Sequence, residues 1–174
     1  MTLDFAEPQN GFDSPCRFGY ESNYLVSHYE QIETLFAKAV SARVPLSWEQ
    51  AALKQAPAFL YDIAPAGDAK RFLMARIGQD KPEGIREDLF LLARSTPAPV
   101  GHMRIKESLQ AEDGRRAIGF ERKEVVGRDN RFLEYAYEEG AAIGGATGAG
   151  GEAPKLLLAQ SREGLLYPDA VLAD

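Results

Sequence analysis

The sequence predicts an α+β fold of mixed strands and several short helices, ending in a β-hairpin after a glycine-rich loop. Three observations predict it. Leu25, Tyr29, Ile32, Leu35, Phe36 and Ala39 recur at three- and four-residue steps, the period of one helical face. Residues 100 to 106 alternate, with Val100, His102, Arg104 and Lys106 on one side and Gly101, Met103 and Ile105 on the other, the period of a half-buried strand. Near the end, Leu156 to Gln160 and Leu165 to Tyr167 flank Ser161-Arg162-Glu163-Gly164, a turn composition between two apolar runs. At 174 residues, 45% apolar and 10% aromatic, the chain has material for one domain with a core.

In chain order, residues 1–15 are polar with two prolines and read as an extended arm. Cys16 to Tyr20 suits a short strand. Ser22 or Asn23 is placed to cap the helix that carries the Leu25–Ala39 stripe, with Glu30, Glu33 and Lys38 on its solvated face. Val44-Pro45-Leu46 ends that helix, because proline cannot continue one. Ser47, with Glu49 and Gln50 downstream, predicts a short helix through Gln55 that stops before Pro57. Ala58 to Pro65 is an apolar, proline-bounded, buried stretch. Asp68 is the expected cap of a helix over Ala69 to Ile77, with Gly78 as its stop. Glu83-Gly84 is a turn. Ile85 to Ser95 is a further helix packing through Leu89, Leu92 and Ala93. After the alternating segment, Glu112 to Arg115 is a turn, and Ile118 to Val126 reads equally as strand or loop. Asn130 caps a helix over Arg131 to Glu139 with Phe132, Leu133, Tyr135 and Ala136 apolar.

Composition excludes several functions. A net charge of −6 and a pI near 5.1 argue against direct nucleic-acid binding, which needs a basic footprint. No apolar run approaches the ~18 residues of a membrane span. The first ten residues carry acids and lack the basic and apolar regions of a signal peptide. Cys16 is the one cysteine, which fits a reducing cytoplasm. One cysteine with His28 and His102 makes no familiar zinc site. Ser14, His28 and Asp13 are offered no nucleophile elbow. Asp62 and Asp68 flank Ala64-Pro65-Ala66-Gly67 and read as turn and helix-cap residues rather than paired catalytic carboxylates. Trp48 reads as a core or docking aromatic, and His102 as a surface histidine.

The remaining feature is Gly140 to Lys155, with six glycines in sixteen residues. Glycine and alanine runs make flexible linkers. Yet the ~20 residues that follow cannot fold alone, so they pair with strands elsewhere. Gly148 to Ala153 formally matches a dinucleotide fingerprint, but Pro154 and a leucine run follow where a helix is required. Lys155 precedes leucine rather than Ser or Thr, so the Walker pattern fails too. A glycine-rich loop leading into strands, laid over ATP phosphates as in protein kinases, agrees with helix, glycines, Lys155, strand, turn, strand. Glycines let backbone N–H groups approach phosphate oxygens, and a lysine adds a point charge.

The ordered set Phe18-Gly19-Tyr20 through Tyr24-Leu25, Val44-Pro45-Leu46, Pro57-Ala58-Phe59 with Asp62 to Gly67, Pro99 to Ile105, and Ala146 to Lys155 resembles HipA. HipA is the Ser/Thr protein kinase toxin of bacterial type II toxin–antitoxin pairs. The resemblance covers roughly residues 16 to 174. It implies that 16–139 form the family's N-terminal subdomain and that 140–174 begin the kinase N-lobe. It implies nucleotide binding through Thr147, Gly148, Ala149, Gly150, Gly151 and Lys155, with ATP and magnesium as cofactors of the full-length protein. Some members phosphorylate a serine in this loop; here the one hydroxyl is Thr147, where relatives' serines are replaced by Ala146 and Gly148. The family's ATP-pairing lysine, catalytic aspartate and magnesium-binding aspartate would follow this hairpin. The chain as given is therefore expected to hold no catalytic residue and no metal ligand, and to be inactive alone. The expected partners are a HipB-like antitoxin or a companion kinase subunit, with DNA reached only through the antitoxin and a protein substrate for the full-length kinase. A non-catalytic interaction module, its acidity suiting a basic partner, is the alternative.

Overall fold

A computed structural model describes residues 1–32, 38–96, 103–111, 118–135 and 158–168. It is a mixed α+β arrangement of short helices and small antiparallel sheets. The chain divides into two compact units, Met1–Leu60 with Gly84–Arg86, and Tyr61–Glu83 with Glu87–Asp174.

The first unit is built on a three-stranded antiparallel sheet, β1 (Thr2–Phe5), β2 (Cys16–Gly19) and β3 (Ala51–Leu53), with β2 in the centre. Residues 1–15 are therefore not only an extended arm. Thr2 to Phe5 pair with Gly19 back to Cys16, and Pro8–Asp13 form a 3-10 turn. Arg86 fastens that turn: its amide donates to the Pro8 carbonyl, its guanidinium donates to the Asn10 carbonyl and pairs with the Asp13 carboxylate. Within the turn, Gly11 adopts φ 58°, a conformation that L side chains resist.

Ser47 to Gln55 is not a helix. Its composition favours one, but Ala51–Leu53 instead complete the sheet against Cys16, Arg17 and Phe18. Ser47 uses its Oγ only locally, accepting from the Glu49 amide at 3.0 Å. Tertiary pairing overrides a weak local preference here.

The helix after β2 is shorter than its apolar stripe predicts. α1 spans Ser22–Ser27, its cap position is Glu21, and Ser22 and Asn23 lie inside it. His28 leaves helical geometry at φ −126°, ψ 27°, and its Nδ1 lies 2.9 Å from the Tyr24 carbonyl. A single 3-10 turn, Tyr29–Gln31, follows, and Tyr29 is 69% exposed rather than packed. Leu35 and Phe36 lie outside the described residues. A row of rings runs outward from the core: Phe18 meets Tyr20 edge-on at 5.0 Å, Tyr20 stacks on Tyr24 at 6.0 Å, and Tyr24 meets His28 at 4.4 Å. Tyr20 also holds the segment beyond. Its hydroxyl accepts from the Val40 amide at 3.0 Å and donates to the Val44 carbonyl at 2.6 Å. Val44 and Leu46 are buried.

α2 (Ala58–Ile63) forms in the proline-bounded stretch, and Leu60, Ile63 and Ala64 are buried. In the second unit, α3 (Gly67–Ile77) packs on α4 (Glu87–Ser95), which packs on α5 (Lys106–Ala111). Ala66, not Asp68, is the cap of α3, and Asp68 lies in its first turn. Gly78 is the C-cap, as expected. Gly84 takes φ 78° in the expected turn. α4 buries Phe90, Leu91, Leu92 and Ser95; of the predicted face, Leu92 is buried and Leu89 and Ala93 are half-buried. Lys70 on α3 pairs with Glu87 on α4 at 2.8 Å.

The alternating segment is not a strand where it is described. Met103–Ile105 belong to no regular element and Lys106 opens α5. A buried hydrogen bond decides this: the Ser108 Oγ accepts from the Thr96 amide at 2.8 Å, tying α5 to the end of α4. Burying that amide without a partner would cost more than a few residues of alternation return. Val100 to His102 and Glu112 to Arg115 lie outside the described residues.

No helix among the described residues is long and apolar enough to cross a membrane.

Candidate functional site

The glycine stretch lies between two described flanks. On its N-terminal side, α6 (Arg122–Val126) begins where the Glu121 amide donates to the Glu124 carboxylate at 2.7 Å. Arg128, at φ 52°, turns the chain in the left-handed region. Asp129 then caps α7 (Asn130–Tyr135): its Oδ1 accepts from the Arg131 amide at 3.2 Å and its carbonyl from the Leu133 amide. The expected cap, Asn130, is the first helical residue instead. Phe132 and Tyr135, three residues apart, share one helical face and are buried.

On the C-terminal side, β4 (Leu158–Gln160) and β5 (Leu166–Pro168) form the predicted antiparallel hairpin, with Ala159 opposite Tyr167. Its turn closes where the Ser161 amide donates to the Leu165 carbonyl at 2.8 Å and Gly164 takes φ 87°. The left-handed position is why glycine stands there.

Both flanks meet on Phe120, which is fully buried. Its amide donates to the Leu166 carbonyl and its carbonyl accepts from the Leu166 amide, both at 2.8 Å, so it adds one bridge to the open edge of β5. Its ring meets Phe132 edge-on at 5.3 Å and Tyr135 at 5.1 Å. Ile118, Val125 and Leu158 pack against the same cluster. Arg131 lies over the outer side of the ring, its Cζ 5.1 Å from the centroid, while its guanidinium donates to the Gly119 carbonyl at 3.1 Å and approaches Glu124 at 3.5 Å. Gly119 has no room for a side chain: a Cβ there would stand 2.6 Å from the Tyr167 ring. The segment 118–126, undecided from sequence, is thus a one-residue bridge followed by a helix.

Among the described residues, the cluster takes Tyr135 from before the glycine stretch and Leu158 from after it. Thr147, Gly148, Ala149, Gly150, Gly151 and Lys155 all lie in between and outside the described residues.

The other sequence candidates do not come together as a site. Ser14 is fully buried and braces a turn, accepting from the Glu7 amide and donating to the Pro15 carbonyl, both at 2.9 Å. Asp13 is taken by Arg86, and His28 by the end of α1. These are three local structural roles, not a triad. Asp62 is exposed on α2. Trp48 is 53% exposed and so is not a core residue. Cys16 is buried, and burial pushes its thiol above the ordinary value. Among the described residues, no three His, Cys, Asp or Glu side chains group to hold a metal. Sequence reasoning missed Phe120 and Arg131. The available signal was a lone aromatic before a capped helix, and nothing near it in sequence announces its partner Leu166.

No protein-family model, curated protein or solved structure matches this chain.

Proposed function

We propose that the chain is the N-terminal region of a HipA-like Ser/Thr protein kinase, with 16–139 as that family's N-terminal subdomain and the ATP-phosphate loop at Thr147 to Lys155. The observation that carries this reading is the setting of the glycine stretch. A capped helix, described as far as Tyr135, precedes it, an antiparallel hairpin, described from Leu158, follows it, and the two share one aromatic core. A spacer between independent domains has no reason to return to the core it left. A loop meant to present backbone N–H groups to phosphate does, because its ends set where those groups point.

In this reading Gly148, Gly150 and Gly151 supply close backbone approach, Lys155 supplies charge, and Thr147 helps the loop turn and is its one candidate phosphorylation acceptor. Magnesium, when ATP is bound, would screen the phosphate charge. Transfer itself belongs to a catalytic lobe, in the same or a companion polypeptide, and the 174 residues alone bind nucleotide weakly and turn nothing over. A HipB-like antitoxin is the proposed partner, and the cytoplasm the proposed location.

The test uses the protein joined to its catalytic lobe. Lys155→Ala combined with Gly150→Val weakens ATP binding measured by calorimetry at least about tenfold, the loss expected of a charge-assisted phosphate contact and a blocked backbone approach. Unchanged affinity refutes the loop assignment.

A further inference from the structure

We propose that the outer edge of β1 is an interface with a second copy of this chain, the two β1 strands pairing antiparallel about Leu3. The phase of the sheet decides which backbone groups are available. The Ala6 amide donates to the Pro15 carbonyl at 2.9 Å, so Ala6 faces β2. Antiparallel bonding alternates residue by residue. Thr2 and Asp4 therefore also face β2, while Leu3, Phe5 and, next in the alternation, Met1 turn their N–H and C=O groups outward. Among the described residues, nothing bonds the outward groups of Leu3 and Phe5. The side chains of Leu3 and Phe5 lie on the core face of the sheet, opposite buried Phe18 and Cys16, yet both are only half-buried, and Met1 is 40% exposed. β1 carries no lysine, proline or bulge, the devices that blunt natural edges. The opposite edge differs, since β3 is followed at once by exposed Lys54.

The occupant follows from the order of these residues. Three two-fold registers pair both Leu3 and Phe5. Centred on Asp4, the axis sets two carboxylates directly opposite each other, which destabilises the pair. Centred on Phe5, it sets Leu3 opposite Glu7, whose amide is already given to the Ser14 Oγ at 2.9 Å. Centred on Leu3, it sets Leu3 on Leu3, Met1 on Phe5 and Thr2 on Asp4. Every outward group of Leu3 and Phe5 then has a partner, the apolar side chains form one stripe, and each carboxylate meets a hydroxyl. Asp4 has Arg17 opposite it on β2, so the strand brings no unbalanced charge of its own to the seam. Three strands from each copy make one continuous sheet. So short a seam buries less than a standard interface and gives a weak dimer that forms with concentration.

The experiment follows sedimentation velocity and amide hydrogen exchange of the full chain over a series of protein concentrations. The sedimentation coefficient rises with concentration, and the Leu3 and Phe5 amides gain protection in step with it, while the Asp4 amide is protected throughout. Thr2→Asp, at an exposed residue, brings two pairs of carboxylates face to face across the seam and weakens the dimer about tenfold. Thr2→Asp combined with Asp4→Thr restores a hydroxyl opposite each carboxylate and recovers the dimer, which only the register centred on Leu3 explains. Circular dichroism melts confirm that each variant is folded at the temperature used. A chain that stays monomeric at every concentration overturns the inference, as does a dimer whose Leu3 and Phe5 amides exchange freely or one that Thr2→Asp leaves unchanged. Protection of those two amides in the monomer overturns it as well, because the edge is then covered within one chain.

Discussion

Tyr20→Phe removes one oxygen and leaves everything else in place. The ring keeps its edge contact with Phe18 and its stack on Tyr24. What disappears is a hydroxyl that accepts from the Val40 amide at 3.0 Å and donates to the Val44 carbonyl at 2.6 Å. Two backbone groups then lack their partner. A fully buried orphan costs about 1–3 kcal/mol, but Tyr20 is only half-buried and water reaches part of the site, so about 1–2 kcal/mol in total is expected. With a urea m-value of about 2 kcal/mol/M, the unfolding midpoint falls by about 0.5–1 M at unchanged slope. Hydrogen exchange at the Val40 amide accelerates by a comparable free energy. The pH dependence has a definite sign. Burial raises the phenol above its ordinary 10.0; the Val40 hydrogen bond opposes the rise and Tyr24 adds to it. A group whose folded value is raised stabilises fully below its unfolded value, and that stability is lost as pH climbs through the folded one. The difference between wild type and Tyr20→Phe is therefore constant below pH 10 and shrinks above it. A midpoint shift under about 0.1 M, with Val40 exchange unchanged, would show that the hydroxyl does not hold the 40–44 segment.

Gly119→Ala forces a methyl to within 2.6 Å of the Tyr167 ring and destabilises by about 1–3 kcal/mol; combining it with Tyr167→Ala recovers part of that loss in a double-mutant cycle, and strict additivity contradicts the contact. The Cys16 thiol, raised by burial, stays protonated at neutral pH and reacts with a thiol reagent far more slowly than in the urea-unfolded chain; equal rates would place it at the surface.

How much was legible in the sequence depended on whether local signals and distant partners agreed. The hairpin at Leu158–Pro168 was readable because Gly164 supplies a left-handed turn between two apolar runs, and both strands lie within a dozen residues. β2 was readable for its short, apolar, aromatic run. β3 was not: Ala51-Ala52-Leu53-Lys54-Gln55 favours a helix locally, and only the waiting edge of β2 makes it a strand. The stripe from Leu25 to Ala39 gave the position of α1 but not its length, because nothing in periodicity foretells that His28 ends it. Alternation misled at residues 103–106, the described part of the segment, against one buried Thr96–Ser108 hydrogen bond that no local pattern reveals. For the candidate site, composition found the glycine stretch, and its flanking residues favoured the phosphate-loop expectation over a linker. The frame around it was invisible, because Phe120 meets Leu166 only after the chain has folded back.

That frame bears on why the glycine stretch need not act as a linker. Residues 136–157 separate two points of one core. Closing a flexible loop of that length costs about 3 kcal/mol of chain entropy. Burying a Phe or comparable side chain returns about 1.5–3 kcal/mol, and Phe120, Phe132 and Tyr135 are all buried in the cluster. The cluster therefore offsets closure within the protein, before any ligand arrives. Glycine is the least suitable residue for this if the stretch has no further task, since it loses the most freedom on ordering. In the proposed phosphate loop, the six glycines would give backbone N–H groups room to approach phosphate oxygens.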